Sequence, residues 1–140
     1  MKDTGKTKRA GRLLCICLAL CLAAALCLCA CTASVPEGMD EEQVKQAAEQ
    51  TIRLLDEQDY TALMHTMDET MRDAITEQQW ADTWQPYADS LGALVEVESH
   101  SLVEQDGYAV DVAKAAYENG TLTFTLSYDT EYRLAGLYMK

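Results

Sequence analysis

The chain has 140 residues, with 23 acidic and 11 basic side chains and a formal net charge of −12 at pH 7. The charge is unevenly divided: Met1 to Arg12 carries Lys2, Lys6, Lys8, Arg9 and Arg12 against Asp3 alone, so from Thr32 onward 22 acids face six bases, a net −16. A surface this negative repels nucleic acid and anionic lipid headgroups, which argues against a nucleic-acid-binding or headgroup-binding role for the body of the chain.

After the basic start, Leu13 to Ala30 is apolar and uncharged. All six cysteines lie between Cys15 and Cys31, and the last ends the string Leu28-Cys29-Ala30-Cys31. A basic flank and an apolar stretch before a small residue and a cysteine make an export signal of the bacterial lipoprotein kind. Residues 1–30 are then the signal peptide, and Cys31 becomes the first mature residue, lipidated on sulfur. Leu28 at −3 and Ala30 at −1 fit; Cys29 at −2 is less usual. Two alternatives remain open here: an ordinary signal-peptidase cut, or an uncleaved membrane helix, since eighteen apolar residues reach the lower limit for spanning. All three place the remainder outside the cytoplasm. With its sulfur blocked, the mature chain has no disulfide, no thiolate metal site and no cysteine nucleophile. Two acyl chains anchor stably where one is marginal, so the expected location is the cell membrane, facing outward.

Residues 31–40 then hold the lipidated cysteine and a short tether containing Pro36 and Gly38. Fully extended, the eight residues from Thr32 to Met39 reach under about 30 Å, which keeps the domain beside the membrane. The remaining residues, 41–140, suffice for one domain with one core.

From Asp40 the pattern is helical. Asp40 caps, Glu41 and Glu42 suit the positive end of the helix dipole, and Val44, Ala47, Ala48, Thr51, Ile52 and Leu55 share one face to an end near Glu57. Asp59 opens a second short helix through Leu63, Met64 and Met67, and Asp68 another turn with Met71 and Ile75. Thr76-Glu77-Gln78-Gln79 has capping-box form. Trp80, Trp84, Tyr87, Ala88 and Leu91 follow at helical spacing, Pro86 should kink or restart that helix, and Gly92 stops it.

The period then changes to two. Val95, Val97, Ser99, Ser101 and Val103 alternate with Glu96, Glu98, His100, Leu102 and Glu104. Asp106-Gly107 predicts a hairpin turn, a strand follows from Tyr108 to Glu118, and Asn119-Gly120 predicts a second turn. Thr121 to Tyr128 places Leu122, Phe124, Leu126 and Tyr128 on one face, and a last strand runs from Tyr132 to Met139. The fold class is α+β: N-terminal helices packed on a four-stranded antiparallel sheet.

Several of these segments together resemble a known family. They are Leu54-Leu55-Asp56-Glu57-Gln58-Asp59-Tyr60, Thr76-Glu77-Gln78-Gln79-Trp80, Leu91-Gly92-Ala93, Glu104-Gln105-Asp106-Gly107-Tyr108, Glu118-Asn119-Gly120-Thr121-Leu122-Thr123-Phe124 and Leu134-Ala135-Gly136-Leu137-Tyr138. In this order and spacing they are similar to bacterial proteins carrying domain of unknown function 3887, over roughly Val44 to Lys140. The resemblance implies a cone of helices on a curved sheet, as in nuclear transport factor 2-like and cystatin-like folds. Members stand alone as lipoproteins, mostly in Gram-positive bacteria, or precede a peptidase or α/β-hydrolase domain; with the last strand reaching Lys140, no such domain is expected here. The family has no established catalytic residues, and a fold does not fix an activity.

Candidate site residues follow from chemistry alone. An isomerase-like mechanism needs a carboxylate base and a hydrogen-bonding acid aimed into an apolar cavity. Asp111 is the candidate base, because it alternates with Ala109 and Ala113; Tyr60, Tyr117 or Tyr128 would supply the phenol. The alternative turns Asp111 to solvent. Trp80, Trp84 and Tyr87, with Tyr128, are candidates for a ligand groove, although their spacing suits a core equally. His65 with Asp59, Asp68 and Glu69 matches no metal-ligand motif, and His100 with Glu96 and Glu98 reads as a solvated strand face, so no metal is expected. No GxSxG elbow or phosphate-binding glycine loop occurs, and no cofactor is expected. The reading is a non-enzymatic, membrane-anchored domain that binds a small molecule or an envelope protein. Two alternatives stand beside it: a small isomerase or hydratase using Asp111, and a homodimeric structural module with its open sheet face against its copy.

Overall fold

The computed structural model describes residues 34–140. The expected signal peptide (1–30) and lipidated Cys31 lie outside the described residues. Among those described, no helix is long and apolar enough to cross a membrane.

Four helices come first: α1 (Glu41–Asp56), α2 (Tyr60–His65), α3 (Glu69–Ala74) and α4 (Glu77–Leu91). Each starts on a side chain that accepts from the first turn. Asp40 takes the Gln43 amide at 3.0 Å, Asp59 that of Ala62 at 3.0 Å, and Asp68 that of Met71 at 2.7 Å. Thr76 and Gln79 form the reciprocal pair expected of a capping box. Each cap satisfies one of the donors that a helix start leaves unpaired.

Four strands follow: β1 (Leu94–Gln105), β2 (Tyr108–Tyr117), β3 (Gly120–Tyr128) and β4 (Leu134–Met139). They pair antiparallel in sequence order as one open sheet. The fold is therefore α+β, with four helices and a four-stranded antiparallel sheet. A parallel bridge joins Met67 to Leu134 and ties the link between α2 and α3 to the start of β4.

The core lies between the helices and one face of the sheet. Val44, Ala48, Ile52 and Leu55 of α1, Leu63, Met67, Trp80 and Trp84 meet Ala109, Ala113 and Ala115 of β2 and Leu122, Phe124, Leu126 and Tyr128 of β3. Small alanines on β2 leave room for the bulk of Trp84 and Phe124, whose rings stand 6.3 Å apart.

Four local expectations need correction. The helix does not restart at Pro86 but runs through it as one element. Pro86 is exposed, so the carbonyl it leaves unpaired reaches water. The second hairpin loop is Glu118-Asn119 rather than Asn119-Gly120, with Tyr117 paired to Gly120. Its register is set from outside: the amides of Glu118 and Asn119 donate to the carbonyls of Ala93 and Leu91 at 3.0 and 2.9 Å. Gly92 permits that approach, since a Cβ there would sit 2.7 Å from the Glu118 carboxylate. The last strand starts at Leu134 and not at Tyr132, because Tyr132 turns the chain with φ +60° around the Asp129 carboxylate. Finally, the stretch read as a tether is docked from Val35 onward: Val35 and Met39 pack on the core, and the Asp40 amide donates to the Tyr132 hydroxyl at 2.8 Å.

Candidate functional site

The largest departure from simple alternation lies in β1. Two irregularities, between Leu94 and Glu96 and between Val97 and Ser99, insert extra residues against β2. A bulge shifts every following side chain to the other face. Leu94, Val97, His100 and Leu102 are therefore the partly buried residues of the strand. His100 does not share a solvated face with Glu96 and Glu98, as expected from a strict period of two. Glu98 instead pairs with Lys114 at 2.8 Å.

His100 meets Asp111, which is fully buried on the helix-facing side of β2. Nδ1 lies 2.6 Å from one Asp111 oxygen, and the Ser101 amide donates to the other at 3.2 Å. The alternative in which Asp111 faces solvent is thus overturned. A buried carboxylate needs such partners, because its desolvation is otherwise costly. Nδ1 is the ring nitrogen turned to the carboxylate. Nε2 is buried without a hydrogen-bond partner and stands 3.6 Å from Oε1 of Glu49 on α1. The group is an oriented imidazole between an enclosed acid and a half-buried one.

Beside it the Tyr128 hydroxyl and Thr51 Oγ1 are 2.9 Å apart. Thr51 donates to the Ala47 carbonyl at 3.0 Å, so the phenol donates to Thr51. Burial pushes the Tyr128 phenol well above its ordinary range; the Thr51 bond lowers it and the Asp111 charge adds to the rise. This phenol stays protonated at any physiological pH. Tyr128 approaches Asp111 closely enough to feel its charge, but neither Tyr60 nor Tyr117 is hydrogen-bonded to it. Burial also raises the Tyr60 phenol.

The aromatic candidates are part of the packing. Trp84 is fully buried, Trp80 is 3% exposed, and Trp84 stacks on Tyr87 with centroids 5.9 Å apart. His65 is exposed at the end of α2, while Asp59 and Asp68 are helix caps. Among the described residues, no group of three or more His, Cys, Asp or Glu side chains could hold a metal ion.

The concave feature missed by sequence reasoning is a cleft of about 490 Å³ between α1 and the bulged start of β1. Glu49, Arg53, Asp56 and Glu57 form the helix wall, and Leu94, Val95, Glu96 and Val97 the strand wall. The helix wall is legible afterwards as a polar stripe at i, i+4, i+7 and i+8. The strand wall is not, because the bulges decide it. Burial raises Asp56, against the lowering effect of the Leu94 amide, and Glu57 adds to the rise. Tyr117 pairs with Leu94 across the strands; it is 5% exposed and its hydroxyl is buried without a partner. Burial raises this phenol too, and the nearby Asp56 charge adds to it.

Comparison with known proteins gives the family and the fold. The family described as "Protein of unknown function (DUF3887)" matches residues 48–137. The chain belongs to this family. A solved structure titled "NMR structure of protein from Ruminococcus gnavus ATCC 29149" is similar in fold, with a TM-score of 0.65 and 22% identity. The likeness covers 75% of this chain and 95% of that one. No curated protein matches the chain. For this DUF3887 member the comparisons therefore speak to fold and family, and the site must be argued from its own geometry.

Proposed function

We propose that this DUF3887 protein is a lipid-anchored binding domain at the outer face of the cell membrane, and that it catalyses no reaction. The leader ending at Cys31 supports the anchor, and the docking of Val35 and Met39 on the core leaves little free chain between Cys31 and the domain. We further propose that the fold is of the nuclear transport factor 2-like kind, with the bulges of β1 curving the sheet around α1 into a cone.

One observation carries the non-enzymatic reading. Enzymes of that fold kind need a cavity between helices and sheet, and here Trp84, Phe124, Tyr128 and Leu126 occupy that space with 0–1% exposure. Asp111 already spends its oxygens on His100 and Ser101. To act as a base toward substrate it would have to release His100 and open the core. The surface cleft between α1 and β1 is left as the place for a ligand. The outer sheet face favours the second reading, a homodimer: Tyr108, Val112 and Tyr138 are exposed there by 40, 37 and 62%.

Native mass spectrometry of the full protein, gently extracted from its own membranes, tests these readings together. The expected species starts at Cys31, carries a diacylglyceryl group and retains a bound molecule or partner. A mass beginning at Met1 removes the lipid anchor. A ligand-free dimer favours the structural module.

A further inference from the structure

The residues before α1 are tied down at several points. Ser34 bonds to Glu41, and Val35 and Met39 pack on the core. The Met39 amide donates to the Pro36 carbonyl at 3.1 Å, and the Asp40 amide to the Tyr132 hydroxyl at 2.8 Å. Three peptide units separate Cys31 from Ser34, and fully extended they span about 11 Å.

This attachment lies at one end of the sheet. Tyr132 belongs to the loop between β3 and β4, and the Asp106-Gly107 hairpin is at the same end, since Ala109 pairs with Tyr128. From there α1 runs for 16 residues, about 24 Å. Its last residue, Asp56, accepts from the Leu94 amide at the start of β1, beside the Glu118-Asn119 hairpin. The nine residues of β3 also join the two ends, about 27 Å apart. The cleft, lined by the second half of α1 and the first residues of β1, belongs to the far half.

Charge decides how the domain stands. The near end carries Asp40, Glu41, Glu42, Asp106, Asp129 and Glu131, and its Arg133 is bound to Asp129 and Glu131. Anionic headgroups repel these acids, so the short attachment and not surface attraction holds this end down. Glu57, Glu96 and Glu118 are exposed in the far half and are repelled likewise, with no anchor to oppose it.

We infer that the domain stands on the membrane by the end that holds the start of α1, the Asp106-Gly107 hairpin and the loop from Asp129 to Arg133, with the cleft turned to the aqueous side. What that end faces is a layer of lipid headgroups, and a ligand reaches the cleft from solution and not from the bilayer. The inference rests on the lipid-anchor reading above and adds its orientation.

The test uses the full protein, purified with its lipid and returned to vesicles of phosphatidylcholine and phosphatidylglycerol whose headgroups carry an acceptor dye. All six cysteines lie between Cys15 and Cys31, so with Cys31 acylated a single introduced cysteine takes the donor dye. Thr130→Cys marks the near end, Asn119→Cys the far end and Val95→Cys the cleft rim, all at exposed positions. Energy transfer from Thr130→Cys should exceed that from the other two. Inserting about ten glycine and serine residues after Thr32 lengthens the free chain without touching the packed residues. Val35→Ser with Met39→Ser frees nine peptide units, Cys31 to Asp40, in place of three. Each change should cost Thr130→Cys its excess transfer. Circular dichroism melts check folding, and the insertion keeps the test decisive if the double substitution unfolds. Equal transfer from the three positions, or more from Asn119→Cys, overturns the orientation, while flotation with the vesicles leaves the anchor standing. A difference that survives the insertion overturns the short attachment as its cause. Protein that carries no lipid and stays off the vesicles removes anchor and orientation together.

Discussion

The centre of the sheet and its first edge strand obey different rules. On β2 and β3 every second side chain is buried without interruption, from Ala109 to Tyr117 and from Leu122 to Tyr128. These strands have neighbours on both sides and helices above, so a slip of one residue would expose the whole apolar set. On β1 only one edge is paired, and two bulges break the period. That freedom turns His100 inward and opens the cleft. Regularity built the core here, and its interruption at an edge built the candidate site.

Substitutions can break or sharpen the contrast. The largest effect is expected at the centre: Trp84→Ala should cost about 3–5 kcal/mol in chemical denaturation, by leaving a cavity among Tyr87, Tyr117 and Phe124. An unchanged midpoint would contradict its place in the core. At the edge, Asp111→Ala should cost about 3 kcal/mol, since it strands the His100 ring and the Ser101 amide. His100→Ala should cost somewhat less, and the double variant less than the sum of the two. Strict additivity would mean that the pair is not coupled.

Alkaline pH probes the central strands. Tyr128 and Tyr117 are raised chiefly by burial, above the ordinary value of 10.0. Above about pH 10 the unfolded chain releases these protons while the folded one keeps them, so stability falls by about 1.4 kcal/mol per pH unit for each phenol. Below that pH the contribution is fully present. Tyrosinate absorbance should show these two phenols ionising together with unfolding; free titration in the folded state would contradict their burial. The smallest effect belongs to neither region: Thr76→Ala should cost about 1 kcal/mol in chemical denaturation, by removing the α4 cap.

Much of the fold was legible in particular residues. Asp40, Asp59, Asp68 and Thr76 mark all four helix starts, because capping is a contact over three residues. Asp106-Gly107 marks the first hairpin, where both residues take positive φ, 53° and 84°. Asn119-Gly120 misled by one residue, because contacts to Leu91 and Ala93 outweigh local turn preference there. Of the site, Asp111 stood out by its alternation with alanines. Its partner did not, since two bulges lie between the visible pattern and the position of His100.

By itself, the sequence determined whatever depends on near neighbours along the chain: the charge division, the caps, and the alternation of β2 and β3. Their energies come from residues a few positions apart, so a linear reading recovers them. Only the tertiary structure decided that His100 faces Asp111, that Tyr128 donates to Thr51, 77 positions away, and that α1 and the start of β1 leave a cleft between them. Those contacts depend on strand register and on which helix covers which strand, and burial of the core as a whole selects both.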